Sequence, residues 1–77
     1  MALFVATALT VRVEFRPARE PPRAVALAAG ATVGDLLRAV GQSPDHTLVV
    51  RGEVPVPESE AVRDGESLLL LSAFSGG

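Results

Sequence analysis

The segment Ser67-Leu68-Leu69-Leu70-Leu71-Ser72 places four leucines in a row. A strand buried on one face alternates apolar and polar side chains, whereas an unbroken apolar run of strand length reads as a strand covered on both faces. Such a strand sits in the middle of a sheet. It needs a neighbour on each edge and a layer over at least one face, and the rest of the sequence has to provide them.

Neighbours are legible. Leu9, Val11, Val13 and Phe15 fall on one face of an alternating run and Thr10, Arg12 and Glu14 on the other, the pattern of a half-buried strand. A proline-punctuated loop, residues 16–22, leads to a second strand over residues 23–28. Residues 47–51 read as a third strand ended by Gly52. Val54-Pro55-Val56-Pro57 allows only a short edge strand, because each proline removes a ladder donor. The last strand, residues 67–74, is entered through Arg63-Asp64-Gly65-Glu66, a turn with glycine placed for positive φ.

The cover is a single short helix. Val33, Leu36, Leu37 and Val40 recur at i, i+3, i+4 and i+7, one apolar stripe. Thr32 is a good N-cap, Asp35 completes a variant of the capping box in the turn where the helix dipole favours an acid, and Gly41 is the stop. The order strand, strand, helix, strand, short strand, strand, with the most apolar strand central, is the β-grasp arrangement. The expected fold is therefore α+β, a mixed sheet with one helix packed across one face. Residues 9–74 are expected to form this domain, 1–8 an apolar N-terminal extension and 75–77 a flexible Ser-Gly-Gly tail.

Composition narrows the role. With 77 residues, 48% of them hydrophobic, and no cysteine, the chain can build one core but neither a disulfide framework nor a thiolate metal site. A core of that size supplies only about 3–5 kcal/mol, so its packing must be efficient. A net charge of −2 and 4% aromatic content speak against nucleic acid as a direct partner. The apolar start MALFVATALTV has no charge before Arg12 and is about half the length needed to span a bilayer. Neither a secretory signal nor a membrane partner is expected, and the cytoplasm is the expected location. All basic residues are arginine: Arg12, Arg16, Arg19, Arg23, Arg38, Arg51 and Arg63. A genome rich in arginine codons would produce this pattern, and so would a functional need for it.

Several residues are candidates for function. If Leu68 and Leu70 meet the helix, Leu69 and Leu71 lie on the open face of the sheet, and Val49 is expected beside them. An exposed apolar patch of this kind marks an interface; cover by the N-terminal segment is the alternative. Phe74 is either the last core residue or an anchor in a partner's pocket. His46 stands beside Asp45 without a nucleophile or a second histidine and reads as a surface loop residue. Glu53, Glu58, Glu60, Asp64 and Glu66 cluster in sequence, but prolines spread them apart, and a solvated face is the better reading than a metal site. No catalytic constellation stands out, so the chain reads as a substrate or carrier and not as an enzyme.

The ending Ser75-Gly76-Gly77 has a chemistry of its own. A carboxylate becomes a competent acyl donor once ATP converts it to an acyl-adenylate. Glycine has no Cβ, so such a tail can thread a narrow channel to the nucleotide. Its main-chain groups suit capture by strand-like pairing or by backbone donors. Gly77 is thus the expected site of covalent attachment, with Phe74, Ser75 and Gly76 recognised alongside; a frayed terminus is the alternative.

The helix Thr32-Val33-Gly34-Asp35-Leu36-Leu37, the segment Val49-Val50-Arg51-Gly52-Glu53, the turn Val62-Arg63-Asp64-Gly65-Glu66 and the end Leu71-Ser72-Ala73-Phe74-Ser75-Gly76-Gly77 carry a resemblance. Together they resemble the ubiquitin-like sulfur-carrier family of ThiS, MoaD, TtuB and the archaeal small modifier proteins. The likeness spans residues 9–77 and is greatest to the TtuB type, whose ending is very similar. The Pro-Pro common before the end of MoaD is missing, and residues 1–8 extend beyond the usual start. The resemblance implies that a ubiquitin-activating-type enzyme, using ATP and Mg, adenylates Gly77, and that a sulfur donor of cysteine desulfurase or rhodanese type converts it to a thiocarboxylate. It implies delivery to a tRNA thiolation enzyme for 2-thiouridine, with thiamine thiazole or molybdopterin synthesis as the alternative. It also allows isopeptide linkage to lysines of target proteins beside sulfur delivery, and a dedicated ubiquitin-like protein modifier is the further alternative. No cofactor is expected on the chain itself.

Overall fold

The structure is a computed structural model and describes residues 8–17 and 20–72. Among these residues the elements are β1 (Leu9–Arg16), β2 (Arg23–Leu27), α1 (Val33–Ala39), β3 (Thr47–Arg51), β4 (Val54–Val56) and β5 (Ser67–Ser72), with a 3-10 turn at Pro44–His46 before β3. The sheet order is β2-β1-β5-β3-β4. The leucine-rich β5 is central, parallel to β1 and antiparallel to β3. β2 and β4 pair antiparallel on the outer edges, and β4 tolerates Pro55 because an edge strand has one side free of ladder bonds. The expected residues 73 and 74 of the last strand lie outside the described residues.

Register decides which side chains make the core. Val13 stands opposite Leu68, and Phe15 and Val49 both stand opposite Leu70. Partners across a ladder point to the same face. Val11, Val13, Phe15, Val49, Leu68 and Leu70 therefore form one apolar layer, closed by Val33, Leu36 and Leu37 of α1 and by Val62. Fully burying one such side chain contributes about 1.5–3 kcal/mol. Val49 is a correction to the sequence expectation: it is 2% exposed and faces the helix, not the open face. Leu48, Val49 and Val50 are all apolar, so alternation cannot assign a face to any of them, and pairing with Leu70 does.

The short helix is held at both ends. Thr32 Oγ1 accepts from the Asp35 N–H at 3.2 Å, and Asp35 Oδ2 accepts from the Thr32 N–H at 2.9 Å, a complete capping box. The Thr32 N–H, then the Arg38 guanidinium, holds the Asp35 carboxyl below its ordinary pKa. At the far end Gly41 adopts φ 78°. Its N–H donates to Arg38 O at 3.2 Å and the Gln42 N–H to Leu37 O at 2.8 Å, the Schellman pattern. The first turn is also sewn to a neighbouring loop, since Val33 N–H donates to Glu60 O and Gly34 N–H to Glu58 O, both at 2.8 Å. A helix of 7 residues would not persist alone; these bonds and the buried stripe keep it in place.

The turn into β5 is similarly tied. Gly65 takes φ 81°, and its N–H donates to Thr10 O at 2.7 Å. Asp64 Oδ1 accepts from the Thr10 N–H at 2.9 Å. No helix among the described residues is long and apolar enough to cross a membrane.

Candidate functional site

The face of the sheet turned away from α1 is built by the same registers. Leu69 lies between Glu14 of β1 and Val50 of β3, and Leu71 between Arg16 and Leu48. Leu48, Val50, Leu69 and Leu71 make a two-by-two apolar block, which Pro55 opposite Val50 extends onto β4. Leu48 is 44% exposed, and the other three members of the block are half-buried. Arg12, Glu14 and Arg16 share this face by strand alternation and border the block with charge. A shallow depression of about 300 Å³ lies at the boundary, lined by Arg12, Glu14, Val50, Gly52, Ser67 and Leu69. An apolar patch with a polar rim suits contact with another protein better than small-molecule chemistry.

Leu69 and Leu71 lie on this face as the sequence suggested, whereas Val49 does not. Leu48 and Val50 take the place foreseen for Val49. Their signal in the sequence was the unbroken run Leu48-Val49-Val50, which supplies apolar groups to both faces at once. β5 passes Leu69 and then Leu71 on its way toward residues 73–77. Phe74, Ser75, Gly76 and Gly77, the expected attachment and recognition residues, lie outside the described residues, as do residues 1–7.

On the opposite face, Arg51 organises the approach to β5. Its Nε donates to Glu66 Oε1 at 2.7 Å and its Nη2 to Glu66 Oε2 at 3.1 Å. Nη1 donates to Glu60 Oε2 at 2.7 Å and Nη2 also to Ala61 O at 3.0 Å. One guanidinium thereby ties the end of β3 to the loop before β5, using a planar fork that only arginine has. Burial by itself would raise the Glu66 pKa. Bonds from Arg51 and from the Arg63 N–H outweigh it and hold the carboxyl below its ordinary value. The pairing with Glu66, then Glu60, pushes the Arg51 pKa upward.

This clamp revises the reading of the acidic cluster as a solvated face for part of its members. Glu60 and Glu66 are engaged by Arg51 and Asp64 by the Thr10 N–H. Those three acids are tied into the fold, whereas Glu53 and Glu58 are exposed, and among the described residues no three His, Asp or Glu groups converge on a metal-sized site. His46 is exposed at the end of the 3-10 turn, where its N–H donates to Ser43 O at 3.1 Å.

Solved structures share the architecture, among them the following two. Caldiarchaeum subterraneum ubiquitin matches with a TM-score of 0.70 at 20% identity, over 92% of this chain and 100% of that one. A ubiquitin-like domain of an Arabidopsis thaliana protein matches with a TM-score of 0.70 at 9% identity, over 91% of this chain and 82% of that one. At such identities the likeness is one of fold, and the fold is ubiquitin-like. No curated protein matches the sequence significantly. The family model described as small archaeal modifier protein 2 matches residues 9–70, which run from the start of β1 into β5. With a central leucine strand, one capped helix across the sheet and this match over most of its length, the chain belongs to the small archaeal modifier protein 2 family, the ubiquitin-like small modifiers.

Proposed function

We propose that this protein is a ubiquitin-like sulfur carrier and protein modifier that works through the carboxylate of Gly77 in the cytoplasm. A ubiquitin-activating-type enzyme adenylates Gly77 with ATP and Mg. A donor of the cysteine desulfurase or rhodanese type then supplies sulfur to give a thiocarboxylate. The observation that carries the reading is the match to a modifier family over residues 9–70, in a chain whose central strand leads toward Ser75-Gly76-Gly77. The apolar block of Leu69 and Leu71 on that strand with Leu48 and Val50 on its neighbour β3 is the surface proposed to dock on the activating enzyme. The resemblance of the ending to the TtuB type favours a tRNA thiolation enzyme as the sulfur acceptor. The family's description as a modifier favours, in addition, isopeptide linkage to lysines of target proteins.

Intact-mass spectrometry of the protein isolated from its native host is the direct test. Exchange of one carboxylate oxygen for sulfur should appear in the wild type and vanish when Gly76 and Gly77 are removed. Thiocarboxylate persisting on the shortened chain would overturn the proposal. Loss of 2-thiouridine from tRNA on deletion would identify the acceptor, and unchanged tRNA would redirect the sulfur to thiamine or molybdopterin synthesis.

A further inference from the structure

All seven positions that carry a lysine or an arginine carry arginine, and no side-chain amine is present. The structure separates one arginine that the fold needs as arginine from others that it does not. Arg51 donates in a fork to Glu66, Glu60 and Ala61 O, and an ammonium, with its donors on one atom, cannot reproduce that geometry. Arg38 makes one bond to Asp35 at 2.8 Å with its side chain 62% exposed. Arg23 lies 4.0 Å from Glu20 with its side chain 46% exposed. Lysine would satisfy either position. Neither packing nor ion pairing therefore explains why exposed cations such as these are never amines.

Resting on the reading of Gly77 as an activated acyl group, we propose that the chain is a donor that cannot serve as its own acceptor, so that it modifies target lysines in single copies. In the transfer step a neutral amine nitrogen attacks the carbonyl carbon of the Gly77 acyl-adenylate. A C–N bond forms, the C–O bond to AMP breaks, AMP departs with the electron pair, and the nitrogen releases a proton. ATP consumed in forming the adenylate supplies the activation. A guanidinium stays protonated at cellular pH and is a poor nucleophile. A second copy, or the same copy, thus offers the activated carbonyl no side-chain amine. Chain extension is closed except through an α-amino group.

The test compares the wild type with Arg38→Lys and Arg23→Lys, each N-terminally acetylated and checked for an unchanged thermal melt. Both substitutions lie away from the apolar block. As a Gly77 thioester of 2-mercaptoethanesulfonate, concentrated at mildly alkaline pH, the wild type should only hydrolyse. The variants should give covalent dimers and larger species through the introduced amine. In the native host, wild-type conjugates should carry one copy per acceptor lysine, and the variants should add ladders on the same targets. Trypsin cuts after Arg63, so each wild-type mark should be residues 64–77 on a target lysine. Ladders from the acetylated wild type, or variants that remain single-copy in both settings, would overturn the inference. Absence of any conjugate in the host would overturn the modifier role itself; the thioester comparison distinguishes the two failures.

Discussion

Arg51 and Glu66 are 15 residues apart in sequence, yet Nε and Nη2 of the arginine lie 2.7 and 3.1 Å from the two carboxylate oxygens of the glutamate. The pair joins the end of β3 to the residue before β5, and the Glu66 carbonyl also accepts from the Arg12 N–H at 3.0 Å. The clamp therefore holds the central strand against both of its neighbours. Arg51→Ala should cost roughly 1–3 kcal/mol in urea melts, because it leaves Glu66 partly buried without its partner. Arg51→Lys should recover only part of the loss. An alanine variant as stable as wild type would show that the clamp is ornamental.

The same pair sets an acid limit. The folded pKa of Glu66 lies below its ordinary value of 4.5. Its contribution is then fully present above that value and is lost as pH falls through the lower folded pKa. Asp35 acts in the same direction. Stability should hold from neutral pH down to about 5 and decline below it. Glu66→Gln should be less stable at neutral pH and show a shallower decline, measured as the urea midpoint against pH.

Leu36 and Thr32 test the helix. Leu36 is fully buried, and Leu36→Ala should cost about 2–5 kcal/mol, enough to unfold a domain this small. Thr32→Ala removes one side of the capping box and should cost about 1 kcal/mol. Denaturant melts should rank them in that order.

Gly34 offers a gain of stability. A Cβ at this helical position would lie 3.2 Å from Glu58 Oε1, the free end of a flexible side chain, and 3.4 Å from the Glu58 carbonyl oxygen. The carboxylate can swing aside, so Gly34→Ala should stabilise by about 0.5–1 kcal/mol through helix propensity. Gly34→Leu should destabilise, because the backbone of Glu58 cannot move without breaking the Gly34 N–H bond. A thermal melt of each variant checks both signs.

The two faces of β3 and β5 should separate folding from docking. Leu69→Asp should leave the circular dichroism spectrum unchanged and strongly weaken calorimetric affinity for the activating enzyme, because binding would desolvate an unpaired charge. Val49→Asp should instead prevent folding. Undiminished affinity in a folded Leu69→Asp protein would show that the apolar block is not the docking surface.

Much of the fold was written in local sequence, because its determinants are neighbours along the chain. Thr32 and Asp35 are three residues apart, so their reciprocal cap is a pattern visible along the chain. The alternation from Leu9 to Phe15 chose the buried face of β1, and four consecutive leucines required β5 to be central. Contacts between distant residues could not be read that way. The partners of Arg51 lie 9, 10 and 15 residues on, and Thr10 meets Asp64 across 54 residues. The face taken by Val49 was equally hidden, since Leu48, Val49 and Val50 satisfy a core position and an open-face position alike. Only the antiparallel register with β5 placed Val49 opposite Leu70 and turned Leu48 and Val50 outward beside Leu71 and Leu69. Local sequence determined which segments would be helix or strand; the pairing of β3 with β5, settled by burial across the whole sheet, decided which apolar side chains became core and which became surface.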